Sequence, residues 1–106
     1  ETIRMEQIFQ DGTWAGSLLW DSAVHTAEFM LKDDRWRQQI QGATVVELGC
    51  GLGLPGMVAK ALGAKSVALT DRVDIADLCT ENIKLNFGSS HEDGSVFATE
   101  LEWTRR

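Results

Sequence analysis

The chain is poor in positive charge. Of its 106 residues only 10 are Lys or Arg, against 16 Asp or Glu, for a formal net charge of −6. Without a Lys/Arg cluster, counterion release has nothing to act on, which excludes nucleic acid as the main partner. No apolar run approaches the ~18–20 residues that a membrane span needs, so no membrane partner is expected. A basic stretch followed by a short apolar segment, the mark of a secretory leader, is also missing from the start. Cysteine is sparse too. Cys50 and Cys79 lie 29 positions apart without CxxC spacing, which supports neither a metal site nor a disulfide framework. The expected setting is a reducing compartment: the cytoplasm, with the nucleus as second choice. There is no internal repeat, low-complexity tract or Pro/Gly/Ser linker, so residues 1–106 are treated as a single domain. With 43% hydrophobic and 25% charged residues, that domain can build a core. The chain opens on Glu1 and closes on Trp103-Thr104-Arg105-Arg106 without a turn or cap signal, so part of a longer polypeptide, or a truncated product, is expected. Oligomeric state is not predicted.

What is present is a regular alternation. Ile3–Ile8 alternates as a short strand, and Asp11-Gly12 signals a turn. From Asp21 or Ser22 as N-cap, Ala23, Thr26, Ala27, Met30 and Leu31 recur at helical spacing. A second helical piece is predicted over 33–41, ending at Gly42. Ala43–Leu48 reads as a buried strand. Leu54, Met57, Val58, Ala61 and Leu62 follow at i, i+3, i+4, i+7 and i+8, with Pro55 in the first turn and Gly63 as the C′ residue. Ser66–Thr70 is a second strand ending at Asp71. A helix is predicted from Asp74 to Phe87, stopped by Gly88-Ser89-Ser90. After a polar loop, His91–Gly94, a third strand covers Val96–Leu101. Helices alternating with strands imply parallel strands joined by right-handed crossovers, an α/β three-layer arrangement. If each crossover hides one sheet face, Val45-Val46 and Val67–Leu69 need not alternate.

The informative segment is Glu47-Leu48-Gly49-Cys50-Gly51-Leu52-Gly53, with Asp71 twenty positions after Gly51. Glycines let the chain turn sharply from strand to helix and let a ligand lie against bare peptide N–H groups. A carboxylate at the tip of the next strand can accept two hydrogen bonds from a ribose diol, and a spacing of ~20 is that of a nucleoside-binding βαβ unit. Two registers compete. Gly51-Leu52-Gly53-Leu54-Pro55-Gly56 satisfies the dinucleotide fingerprint GxGxxG. Read from Gly49, the loop is E-x-G-x-G-x-G. Glu47 before the loop repels a pyrophosphate and suits an amine or a sulfonium, and Pro55 removes an N–H that a phosphate would use. Charge complementarity therefore favours S-adenosylmethionine over a dinucleotide.

Val45–Gly56 resembles motif I of class I, seven-β-strand S-adenosylmethionine-dependent methyltransferases. Trp20-Asp21-Ser22-Ala23, Leu69-Thr70-Asp71, Glu81–Asn86 and Leu101-Glu102-Trp103 are similar to segments of the methyltransferase-like protein-lysine methyltransferases. The resemblance covers about residues 12–104. It implies a partial Rossmann-like three-layer sandwich: the first three parallel strands of the seven-stranded sheet with N-terminal helices, the cofactor-binding portion of the domain. It also implies roles. Gly49, Cys50 and Gly51 would lie against the methionyl part and ribose, and Glu47 would face the cofactor's amino group directly or through water. Asp71 would bind the ribose hydroxyls, Trp20 would cover the cofactor and Trp103 would pack by the adenine. Where the family shows Leu-Asp-Trp-Gly, this chain has Glu102 and Thr104. The family's substrate-facing residues follow its fourth strand, beyond Arg106, so no catalytic residue is assigned.

The implied activity is methyl transfer to a protein lysine, which makes a protein substrate the expected partner. In-line displacement at an activated sulfonium asks the protein mainly to align the nucleophile and exclude water. Two other classes compete: a non-catalytic cofactor-binding fragment, and a fragment of an NAD- or FAD-binding oxidoreductase. Other polar residues get structural readings. His25 sits in a helix and His91 in a polar loop, Cys79 belongs to the core, and Cys50 contributes backbone rather than thiol chemistry. Asp33-Asp34 and Glu92-Asp93 are solvated charges, and Glu81-Asn82 with Lys84 is a helix surface. Trp14 and Trp36 pack on the core or form a partner surface.

Overall fold

The computed structural model describes residues 21–102. The strand expected at 3–8, the Asp11-Gly12 turn, Trp14, Trp20 and Trp103 lie outside them. The elements are α1 (Asp21–Lys32), α2 (Asp34–Ile40), β1 (Thr44–Leu48), α3 (Leu54–Ala61), β2 (Ser66–Asp71), α4 (Val73–Glu92) and β3 (Val96–Glu100). The three strands are parallel in the order β1-β2-β3. This is the predicted α/β alternation.

Local chemistry sets the boundaries. Asp33 is more than a solvated charge: its carboxylate accepts from the Trp36 N–H at 3.0 Å and caps α2. Trp36 packs edge-on against Phe29 of α1, ring centres 6.5 Å apart, and so ties the two helices together. Past α3, Gly63 takes the predicted C′ position, and the Ala64 N–H closes the helix end on the Ala59 carbonyl at 3.1 Å. The expected stop at Gly88 is instead a break at Phe87 (φ −140°, ψ 48°), after which the chain resumes helical turns to Glu92. Phe87 itself packs on the core. His91 therefore belongs to α4. Asp93 also has a structural task, accepting from the Ser95 N–H at 2.8 Å in the turn before β3.

The core lies between the sheet and one layer of helices. Met57 of α3, Val67 and Leu69 of β2, Cys79 and Ile83 of α4 and Val96 of β3 are fully buried. Because the strands run in one direction across the sheet, successive right-handed crossovers place α3 and α4 on the same face. Val45 and Ala98 point to that face, packed against the core. Val46, Ala68 and Phe97, paired in one row across the sheet, belong to the other face. Val46 and Leu48 are about 60% exposed there. The predicted cause of the apolar run in β1 therefore does not apply: both crossovers hide the same face, and β1 alternates between covered and exposed positions. Of the three layers, residues 21–102 build the sheet and one helical layer.

Candidate functional site

The carboxyl ends of β1 and β2 meet at the loop from Gly49 to Gly53, and hydrogen bonds to its backbone hold that loop. The Cys50 N–H donates to the Thr70 carbonyl at 2.9 Å, and the Gly53 N–H to the Cys50 carbonyl at 2.9 Å. The Gly51 N–H donates to Asp71 Oδ2 at 2.9 Å. From behind, Asn82 Nδ2 donates to the Leu52 carbonyl at 3.3 Å. Gly53 has φ 93°, and a Cβ there would stand 2.6 Å from Cys79 Sγ, so neither the conformation nor the space admits another residue.

Two carboxylates frame the loop. Glu47, the fourth residue of β1, turns its side chain to the helical layer, and its Oε1 accepts from the Gly56 N–H at 3.0 Å. The helix it reaches has no cap of its own: Gly53 at the N-cap has no side chain, and Pro55 has no N–H. Glu47 thus caps α3 from the preceding strand. Burial, outweighing the Gly56 hydrogen bond, pushes its carboxyl up to about 7, with the Asp71 charge adding in the same direction. Asp71, at the tip of β2, accepts from Gly51 through one oxygen and from the Arg72 N–H at 2.7 Å through the other. Each of its oxygens keeps a lone pair for a further donor.

A cleft of about 200 Å³ opens over the loop, with Ser22, Ala23 and Thr26 of α1 on one side and Glu47, Gly49, Cys50, Gly51, Leu54 and Pro55 on the other. The structure therefore brings Glu47, Gly49, Cys50 and Gly51 together on one cleft and ties Asp71 to it through the Gly51 N–H. A larger cavity of about 610 Å³ lies between α1, α2 and β1, lined mainly by apolar residues such as Phe29, Met30, Trp36 and Val45. It lacks the glycine loop and Asp71. The Cys50 side chain is nearly buried. The Cys79 thiol beside it and burial hold its own thiol far above the ordinary cysteine range, so it stays protonated. Among the described residues no group of His, Cys, Asp and Glu is arranged to hold a metal ion.

Sequence reasoning missed three contributors. Asn82 is fully buried rather than a surface residue. Its signal was available, because Ile75, Cys79 and Asn82 follow at i, i+4 and i+7 on one helix face. Gly56 was seen only as part of a fingerprint, yet a Cβ there would stand 1.9 Å from Leu69 Cδ2 and 2.9 Å from Glu47 Oε1. Thr70 Oγ1 donates to the Glu47 carbonyl at 2.6 Å and locks the two strand ends together. Nothing in the sequence marks that contact.

A parallel sheet with a glycine loop after its first strand and a carboxylate ending its second defines an α/β protein built on a strand–loop–helix ligand unit. The model of a family described as lysine methyltransferase matches residues 1–106, and the chain belongs to that family. It is 37% identical over 78 residues to the protein N-terminal and lysine N-methyltransferase EFM7 of Yarrowia lipolytica, covering 74% of this chain and 27% of that protein. It is 34% identical over 87 residues to the protein N-lysine methyltransferase METTL21A of Danio rerio, covering 82% of this chain and 38% of the relative. The crystal structure of PRMT6 aligns with 74% of this chain and 25% of its own, at a TM-score of 0.49 and 23% identity. The chain thus spans between a quarter and two fifths of the length of these two curated relatives.

Proposed function

We propose that this chain is the S-adenosylmethionine-binding part of a methyltransferase that acts on protein lysine side chains. The observation that carries the reading is the Glu47–Gly56 hydrogen bond of 3.0 Å. A dinucleotide would seat its pyrophosphate on the free N–H groups of the helix after the loop. Here the Gly56 N–H in the first turn of α3 is taken by a carboxylate, and Pro55 before it has none to offer. The cleft is built for positive charge. The family supports a methyl donor, and the names of the relatives support lysine as acceptor.

In this reading Gly49, Cys50 and Gly51 offer backbone to the methionyl part and ribose, and the spare lone pairs of Asp71 accept from the ribose hydroxyls. Glu47 faces the cationic end of the cofactor. Trp20 and Trp103, outside the described residues, remain the proposed cover and adenine contact. The bound cofactor supplies an activated methyl group on a sulfonium. The chain's own residues need only hold it and keep the loop rigid, and a neutral lysine amine is the nucleophile. No described residue is assigned a catalytic role.

Calorimetry with S-adenosylmethionine, S-adenosylhomocysteine and NAD tests the reading. Both adenosyl ligands should bind, NAD should not, and Asp71→Ala should weaken binding at least tenfold while the fold persists by circular dichroism. Preference for NAD would replace this reading with the dinucleotide one.

A further inference from the structure

Glu47 occupies two environments at once. One oxygen is fixed on the Gly56 N–H, while the side chain borders the cleft over the glycine loop. Its charge is therefore aimed and cannot swing away without uncapping α3. The groups facing it make that charge costly when the cleft holds no cation. Asp71 at the tip of β2 is a second carboxylate, and the Cys50 thiol in the loop is the other titratable neighbour. From α1 the cleft receives Ser22, Ala23 and Thr26, and from α3 Leu54 and Pro55, none of which carries a charge.

We propose that Glu47 is a proton-linked positioning residue: a cationic ligand entering the cleft draws Glu47 into its charged form, and binding releases a proton to solvent. The inference rests on the sulfonium reading above. In balance, the neutral carboxyl loses its proton to buffer, and the carboxylate then faces the positive charge of the ligand. The same charge strengthens the bond to Gly56, because a hydrogen bond to an ionised acceptor is stronger than one to a neutral acid. Capture of the ligand and stiffening of the loop–helix junction thereby become one event. The position of the carboxyl, pushed up to about 7, sets the range in which this operates.

The test is calorimetric titration of the chain with S-adenosylmethionine at pH 6.0 and 7.5, each in two buffers of different ionisation enthalpy, which counts protons released. A group titrating near 7 that must be ionised makes binding about eightfold tighter at pH 7.5 than at pH 6.0, with nearly one proton released at the lower pH. Glu47→Gln keeps an oxygen for Gly56 but carries no charge. Its affinity should change only by whatever the ligand's own titration contributes, and its proton release should vanish. Wild-type binding with equal affinity at both pH values and no proton released would overturn the proposal while leaving the cofactor reading intact. So would a Gln variant that keeps the wild-type slope. Should the variant fail to fold, the wild-type proton count decides alone. Absence of binding at either pH overturns both readings.

Discussion

The close approach at Gly56 permits a quantitative prediction. In Gly56→Ala the new methyl would stand 1.9 Å from Leu69 Cδ2, where ordinary contact begins at 3.4 Å, an overlap of about 1.5 Å. Leu69 is fully buried under α3 and cannot retreat without disturbing Met57 and Val67, which are equally enclosed. Overpacking of this kind costs about 1–3 kcal/mol. The methyl also presses on Glu47 Oε1 at 2.9 Å, and loss of that cap adds about 1 kcal/mol. Replacing glycine by alanine in a helix returns up to about 1 kcal/mol. The net loss is about 1–3 kcal/mol, and at ~4–8 °C per kcal/mol for a domain of this size the Tm should fall by roughly 5–20 °C. The assay is thermal unfolding followed by circular dichroism, with Gly88→Ala as control. Gly88 has nothing within 4 Å of its missing Cβ and no positive φ, so that variant should melt at or slightly above the wild-type temperature. A Gly56→Ala protein that melts with wild type would refute the packing argument.

Further outcomes concern the same junction. Asn82→Ala strips the Leu52 carbonyl of its donor and leaves a void, so urea unfolding should show a loss of about 1–3 kcal/mol. Asp33→Ala removes the α2 cap and should cost about 1 kcal/mol, with faster amide exchange confined to α2 and its contact with α1. Stability should also vary with pH through Glu47. Its folded value, about 7, lies above the unfolded 4.5, so the folded state holds the proton more tightly and its stabilisation is complete below 4.5. Stability is lost as pH rises from 4.5 to 7, by at most about 3 kcal/mol. Urea midpoints across that range should fall in wild type and stay flatter in Glu47→Gln.

The apparent conflict between that slope and the proposed ligand linkage has a physical resolution. Without a bound cation the ionised Glu47 is buried and faces the Asp71 charge, and the fold prefers it neutral. A bound cation reverses the preference. The charge that weakens the empty protein is the one the ligand uses.

The α/β alternation was legible in the sequence because its signals are local. Apolar spacing of 3.6 marks α1 and α3, Pro55 and Gly63 bracket α3, and three glycines in five residues cannot sit in a regular element. The twenty-residue interval from Gly51 to Asp71 was legible for the same reason: one strand, one loop and one helix occupy a nearly constant length, and Asp71 does reach the Gly51 N–H. Periodicity cannot say which of two sheet faces a crossover covers. That follows from strand order, and it left Val46 and Leu48 exposed. Nor can local pattern foresee Glu47 capping a helix nine residues on, the Cys50 and Cys79 thiols side by side, or Asn82 supporting the loop from behind. Such contacts depend on distances between elements, which exist only once Met57, Leu69 and Ile83 have closed the core.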